Sequence, residues 1–118
     1  MTARRAESLD DKFVALADPT RRRVIEVLRA GEVRAGELAQ AVHMSPPALS
    51  RHLRVLRRAG LVVETSSADD ARVRLYRLEP TAFGRVRRWL DDVEAFWDNQ
   101  LQAFKVHAEG GARNRRSR

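Results

Sequence analysis

Residues 37–60 read as two helices joined by a short turn, and this segment limits the possible folds of the chain more than any other. The second helix spans about 45–59. Ser45 has the short side-chain oxygen that caps a helix N-terminus, and Pro46 suits the first turn, where no N–H is needed. Gly60 can take the left-handed conformation that closes a helix at C′. Between them Leu49, Leu53 and Leu56 recur at i, i+4, i+7 and form one narrow apolar stripe. The opposite side carries Pro47, Arg51, Arg54 and Arg58, with Ser50 and Arg57 at its edge.

A helix with one apolar stripe, a cationic back and a short lead-in turn matches the reading half of a helix-turn-helix. Such a helix lies in the DNA major groove, and its N-terminal residues reach the base edges. Ser50, Arg51 and Arg54 are therefore the candidates for base contact, because arginine bonds guanine O6 and N7 in a bidentate way. Arg57 and Arg58 come later and are expected on phosphate. Ser45, Pro47 and His52 complete the expected contact set on this helix. An ordinary solvated face is the competing reading of these arginines.

The charge distribution supports a polyanion partner. The 118-residue chain has a net charge of +7. Residues 19–60 hold nine arginines against three glutamates, a net of +6, so most of the excess falls in the proposed reading head. After Gly60 the pattern changes from helical to alternating. Residues 61–66 and 72–78 are two candidate strands around a turn at 67–71, a hairpin whose Arg72 and Arg74 would hold phosphate or enter the minor groove. Asp69 and Asp70 make the tip itself a poor phosphate contact.

Upstream, Asp18 caps a helix with Pro19 in its first turn and Val24, Ile25, Val27 and Leu28 along one side. The stretch Asp18-Pro19-Thr20-Arg21-Arg22, together with Ser50-Arg51-His52-Leu53-Arg54-Val55-Leu56, resembles the ArsR/SmtB family of winged-helix repressors. The resemblance covers about residues 9–78 and extends more loosely to Phe104. It implies a mainly α chain with a small β-hairpin (α+β), a winged helix-turn-helix in which four helices precede the wing and a fifth follows. It also implies an autoregulatory repressor acting on double-stranded DNA.

The last helix opens at Pro80 and is expected to end near His107. Val86, Trp89, Leu90, Val93, Phe96, Trp97, Leu101 and Phe104 recur along it every three or four residues. In the resembling family the first and last helices pair across a two-fold axis. That implies a homodimer interface of Leu9, Phe13, Val14 and Leu16 with Trp89, Leu90, Val93, Phe96, Trp97, Leu101 and Phe104. Packing within the chain competes for part of this stripe. A two-fold dimer presents two reading helices about one DNA turn apart, hence a roughly palindromic operator. The organisation expected is an N-terminal arm at 1–8, a DNA-binding and dimerisation domain at 9–107, and a basic, disordered tail at 108–118.

Other function classes find little support. Cysteine is absent, which rules out disulfides and thiolate metal sites. Many family members sense metals through cysteines before the turn, or through paired Asp/His and His/Glu ligands on the last helix. Here Leu38-Ala39-Gln40 carries no thiol, and Asp91, Asp92, Glu94 and Asp98 precede a lone His107 without an Asp-x-His unit. No metal and no cofactor are expected. A metal- or small-molecule-responsive derepressor of the same fold stays open as an alternative, as does a winged-helix protein-interaction module. Catalysis is not expected: Ser50 and His52 point to different sides of their helix, no acid orients the histidine, and no Gly-rich phosphate loop is present. The polar start, residues 1–11, and the lack of a long apolar run predict a cytoplasmic protein.

Overall fold

The computed structural model describes residues 8–116, with side chains through Gly110. Among these residues the order is α1 (Leu9–Leu16), α2 (Pro19–Leu28), β1 (Val33–Arg34), α3 (Ala35–Ala41), α4 (Pro46–Arg58), β2 (Val62–Ser66), β3 (Arg74–Leu78) and α5 (Pro80–Arg116). This is the expected winged helix-turn-helix, mostly helical with a small antiparallel sheet. The chain forms two units, residues 1–86 and residues 87–118.

In the first unit α1, α2 and α4 each start where a side chain takes orphan backbone N–H groups, whereas Arg34 before α3 makes no such bond. The Ser8 side chain accepts from Asp11 N, and Asp10 and Asp11 place negative charge in the first turn of α1. The Asp18 carboxylate accepts from Thr20 N at 2.7 Å and Arg21 N at 3.3 Å. Ser45 Oγ accepts from Ala48 N at 3.4 Å. The ends are equally ordered. Gly60, at φ 77°, lets Gly60 N donate to Arg57 O and Leu61 N to Leu56 O, the paired bonds of a Schellman closure. The same pair closes α3: His43 N donates to Gln40 O and Met44 N to Ala39 O. There the left-handed position belongs to His43, at φ 55°, and not to a glycine.

Between α1 and α2 one arginine acts as a joint. Arg21 Nε donates to Ala15 O at 2.8 Å and Arg21 Nη2 to Val14 O at 3.1 Å, while Arg22 Nη1 donates to Leu16 O at 2.7 Å. These are carbonyls at the C-terminal end of α1, where the helix runs out of N–H partners; Val14 O also accepts from Ala17 N at 3.2 Å. Arg21 also lies 3.5 Å from the Asp18 carboxylate, with only 14% of its side chain exposed. Two of the nine arginines counted in the basic segment are thus committed to backbone.

The core gathers Val24, Ile25 and Leu28 from α2, Leu38 and Ala39 from α3, Leu49, Leu53 and Leu56 from α4, and Leu61, Val62 and Tyr76 from the wing. Ala82, early in α5, closes it. At roughly 25 cal/mol per Å² of apolar surface, each buried leucine contributes about 1.5–3 kcal/mol. The leucine stripe of α4 therefore sets the face that this helix turns outward.

The sheet order is β1-β3-β2, all antiparallel, with Glu64 opposite Tyr76 and Val33 also opposite Tyr76 on the other side. Three features depart from the sequence expectation. β1 was not anticipated, because two residues cannot display a period. The strands are shorter than expected, and residues 67–73 form the loop, so Arg72 sits in the tip. There Asp70 accepts from Arg72 N at 3.0 Å and Arg72 Nε at 3.2 Å. Finally, α5 runs 37 residues, to Arg116, so residues 108–116 are helical and not the expected disordered tail. Gly110 and Gly111 each cost about 1 kcal/mol relative to alanine, which weakens a helix but does not break it, and no proline intervenes. Of the expected N-terminal arm only Ser8 falls within the described residues. Among the described residues no helix is long and apolar enough to cross a membrane.

Candidate nucleic-acid interface

α4 packs on α1, α2, α3 and β2 through its leucines, which leaves the other side to solvent. Ser45, Pro47, Ser50, Arg51, Arg54, Arg57 and Arg58 are all exposed. Among the described residues Arg51, Arg54 and Arg58 have neither an ion pair nor a hydrogen bond. A polyanion can therefore engage them without first breaking a pair among the described residues.

The remaining arginines of the expected set are internally tied. Arg57 Nη1 lies 2.6 Å from Glu64 Oε2, and Arg74 Nη1 lies 2.8 Å from Glu64 Oε1. Arg72 pairs with Asp70 and holds that carboxyl below its usual range, the side-chain bond being the larger cause and the backbone bond the next. His52 is half-buried and about 160° around the helix from Arg54, so the structure does not bring it to the arginine face. Asp18 is also held low. Desolvation pushes it up, but the Thr20 and Arg21 backbone bonds, with the charges of Arg21 and His52, outweigh that. Burial raises Tyr76, and the Glu64 charge adds to this against Arg57 and Arg74.

The structure places one further arginine beside the wing. Arg34 precedes α3 and is exposed, and with Arg72 and Arg74 it lines an open cleft of about 500 Å³ together with Glu37 and Gln40. It belongs to no motif, so only its charge could have marked it. No group of three or more His, Asp or Glu side chains converges among the described residues in a way that would hold a metal ion.

The large apolar residues expected along α5 are mostly exposed. Leu90, Phe96, Trp97, Leu101 and Phe104 are 50–73% exposed and Trp89 is 44% exposed. Phe96 and Trp97 meet edge to face, with ring centroids 6.5 Å apart. Val93 is half-buried, as are Leu9, Phe13 and Leu16 of the first unit, and Leu16 packs on the core. Val14, part of the expected α1 contribution, is 62% exposed, and Val106, which was not part of the expected set, is 63% exposed.

A helix-turn-helix with a wing and an unpaired arginine face on its second helix defines a DNA-binding module of the winged-helix class. Comparison with known proteins agrees. The family described as "Bacterial regulatory protein, arsR family" matches residues 18–64. The chain is 38% identical over 105 residues to the HTH-type transcriptional regulator Rv2034 of Mycobacterium tuberculosis, covering 87% of this chain and 92% of that one. It is 29% identical over 93 residues to the transcriptional repressor SdpR of Bacillus subtilis, covering 79% of this chain and all of the relative. An ArsR-like transcriptional regulator from Rhodococcus sp. RHA1 superposes with a TM-score of 0.75 at 31% identity, over 93% of this chain and 97% of that one. The chain belongs to the arsR family of bacterial regulatory proteins and is a DNA-binding transcriptional regulator, not an enzyme.

Proposed function

We propose that the protein is a homodimeric repressor that occupies a roughly palindromic operator, its own promoter included, and blocks transcription sterically. The apolar side of α5 carries this reading. Isolated exposed apolar residues are normal on a surface, but six large ones within residues 89–104 of one helix form a patch of the kind that marks an interface. A second copy, related by a two-fold axis, covers the patch with its own α5 and with Leu9, Phe13 and Leu16 of α1. The pair then presents two α4 helices to successive major grooves.

In each half-site Ser50, Arg51 and Arg54 read base edges, Arg58 and the wing arginines hold phosphate, and Ser45 and Pro47 line the approach. Relatives named as repressors support repression over activation. A protein that acts on bacterial DNA works in the cytoplasm. Sedimentation equilibrium and footprinting on the upstream region test this. A dimer protecting two symmetric half-sites 10–10.5 base pairs apart, about one helical turn, is expected. Trp97→Asp should give a monomer. A wild-type monomer, or an asymmetric single-turn footprint, refutes it.

A further inference from the structure

We infer that Arg57, Glu64 and Arg74 form a preorganised clamp for one DNA backbone phosphate at the junction of α4 and the wing, with Glu64 as the positioning residue. The inference rests on the DNA-binding reading and deepens it. The three residues come from three elements, and the two oxygens of one carboxylate hold the two guanidinium groups, at 2.6 Å and 2.8 Å. Glu64 is itself fixed by strand pairing, opposite the buried Tyr76. The exposure order is the telling feature. The Glu64 side chain is 11% exposed, whereas Arg57 is 48% and Arg74 is 61% exposed.

A phosphate arriving from solvent therefore meets two cations before it meets the anion. Each guanidinium has five N–H donors, and the bond to Glu64 leaves donors free for a second oxyanion. The trio carries net +1, so the site still attracts phosphate. Holding two long side chains in place beforehand removes rotamer freedom that binding would otherwise have to remove. Outer partners that orient the ligands of a metal act in this way, and Glu64 stands in the same relation to its two guanidinium groups. The clamp also ties the wing to the recognition helix, so the two contact DNA in a fixed relation.

The opposite assignment would make Glu64 a shield that competes with DNA for the same two arginines. The two assignments predict opposite signs for one substitution. Glu64→Gln keeps the shape and adds one positive charge per protomer. If Glu64 positions a clamp, operator affinity falls, by about tenfold on the scale of lost orienting residues. The plot of log K against log salt then becomes no steeper. If Glu64 is a shield, affinity rises and the slope steepens as two arginines are released to phosphate.

Fluorescence anisotropy across a salt series reads both quantities, with circular dichroism melts confirming the fold. Should Glu64→Gln fail to fold, Arg57→Lys and Arg74→Lys at exposed positions carry the test. Lysine keeps the charge but lacks the fork, so each should weaken operator binding about fivefold with an unchanged salt slope. Equal or tighter binding by these variants overturns the clamp. Wild-type protein that binds no duplex overturns the DNA reading instead, and Arg51→Ala, outside the clamp, shows which of the two has failed.

Discussion

Replacing Arg21 with alanine should destabilise the fold without touching the DNA interface. Arg21 belongs to the motif that most clearly marks the family and to the most basic stretch of the chain, so charge alone would assign it to phosphate. The structure gives it other work. Its guanidinium donates to Ala15 O and Val14 O and lies near Asp18, with 14% of the side chain exposed. Hydrogen bonds to a charged donor contribute about 1.5–3 kcal/mol each when sheltered from water. The Ala15 bond is part-buried and merits the full range, but the Val14 bond is exposed and water can replace it. The expected loss is therefore about 2–3 kcal/mol, or about 8–12 °C in Tm for a domain of this size. Urea unfolding at fixed protomer concentration measures it, fixed because dimerisation contributes to apparent stability. The salt slope of operator binding, measured below the transition, should not change. A stability loss under about 0.5 kcal/mol, or a slope shallower by about one per substituted arginine, would refute the assignment of Arg21 to the joint.

Three further outcomes are expected. Arg51→Ala and Arg54→Ala should each remove about 1–3 kcal/mol of discrimination between operator and altered base pairs, whereas Arg58→Ala should weaken all sequences alike and lower the salt slope by about one per protomer; anisotropy with a panel of single-base operator variants separates them. His43→Gly should raise stability by about 0.5–1 kcal/mol, because relief of the left-handed strain exceeds the entropy added to the unfolded chain, and a fall in Tm would contradict that. Asp18 has a folded-state pKa below its ordinary value of 3.8, so the unfolded chain takes up the proton first as pH falls. Its stabilising contribution is present above that value and disappears as pH drops through the lower folded value. Asp18→Asn should thus flatten the acid limb of a urea-midpoint series, and an unchanged limb would exclude Asp18 as a contributor.

The reading head was legible because its signals are local. Ser45 and Gly60 close the ends of α4 through bonds spanning three to five residues, Pro46 fits the first turn, and Leu49, Leu53 and Leu56 declare the buried face by their spacing alone. The arginine face then follows from helical geometry, since whatever lies opposite a buried stripe faces solvent. The same logic exposed the apolar side of α5, although not its full length. Helix propagation through Gly110 and Gly111 is a balance of small terms, which a composition-based reading of the tail misjudged.

Sequence by itself, then, determined the helices, their caps, the outward side of α4 and the class of partner. Tertiary structure decided how each arginine is held before that partner arrives. Arg21 and Arg22 are consumed by the end of α1, Arg57 and Arg74 converge on Glu64, Arg72 turns to Asp70, and Arg51, Arg54 and Arg58 have no side-chain partner among the described residues. A guanidinium has the same charge in every one of these places. Whether it is spent inside the molecule depends on which carbonyl or carboxylate the folded chain brings within about 3 Å. For Arg57, Glu64 and Arg74 that meeting spans two loops, so it exists only once the wing has packed on α4.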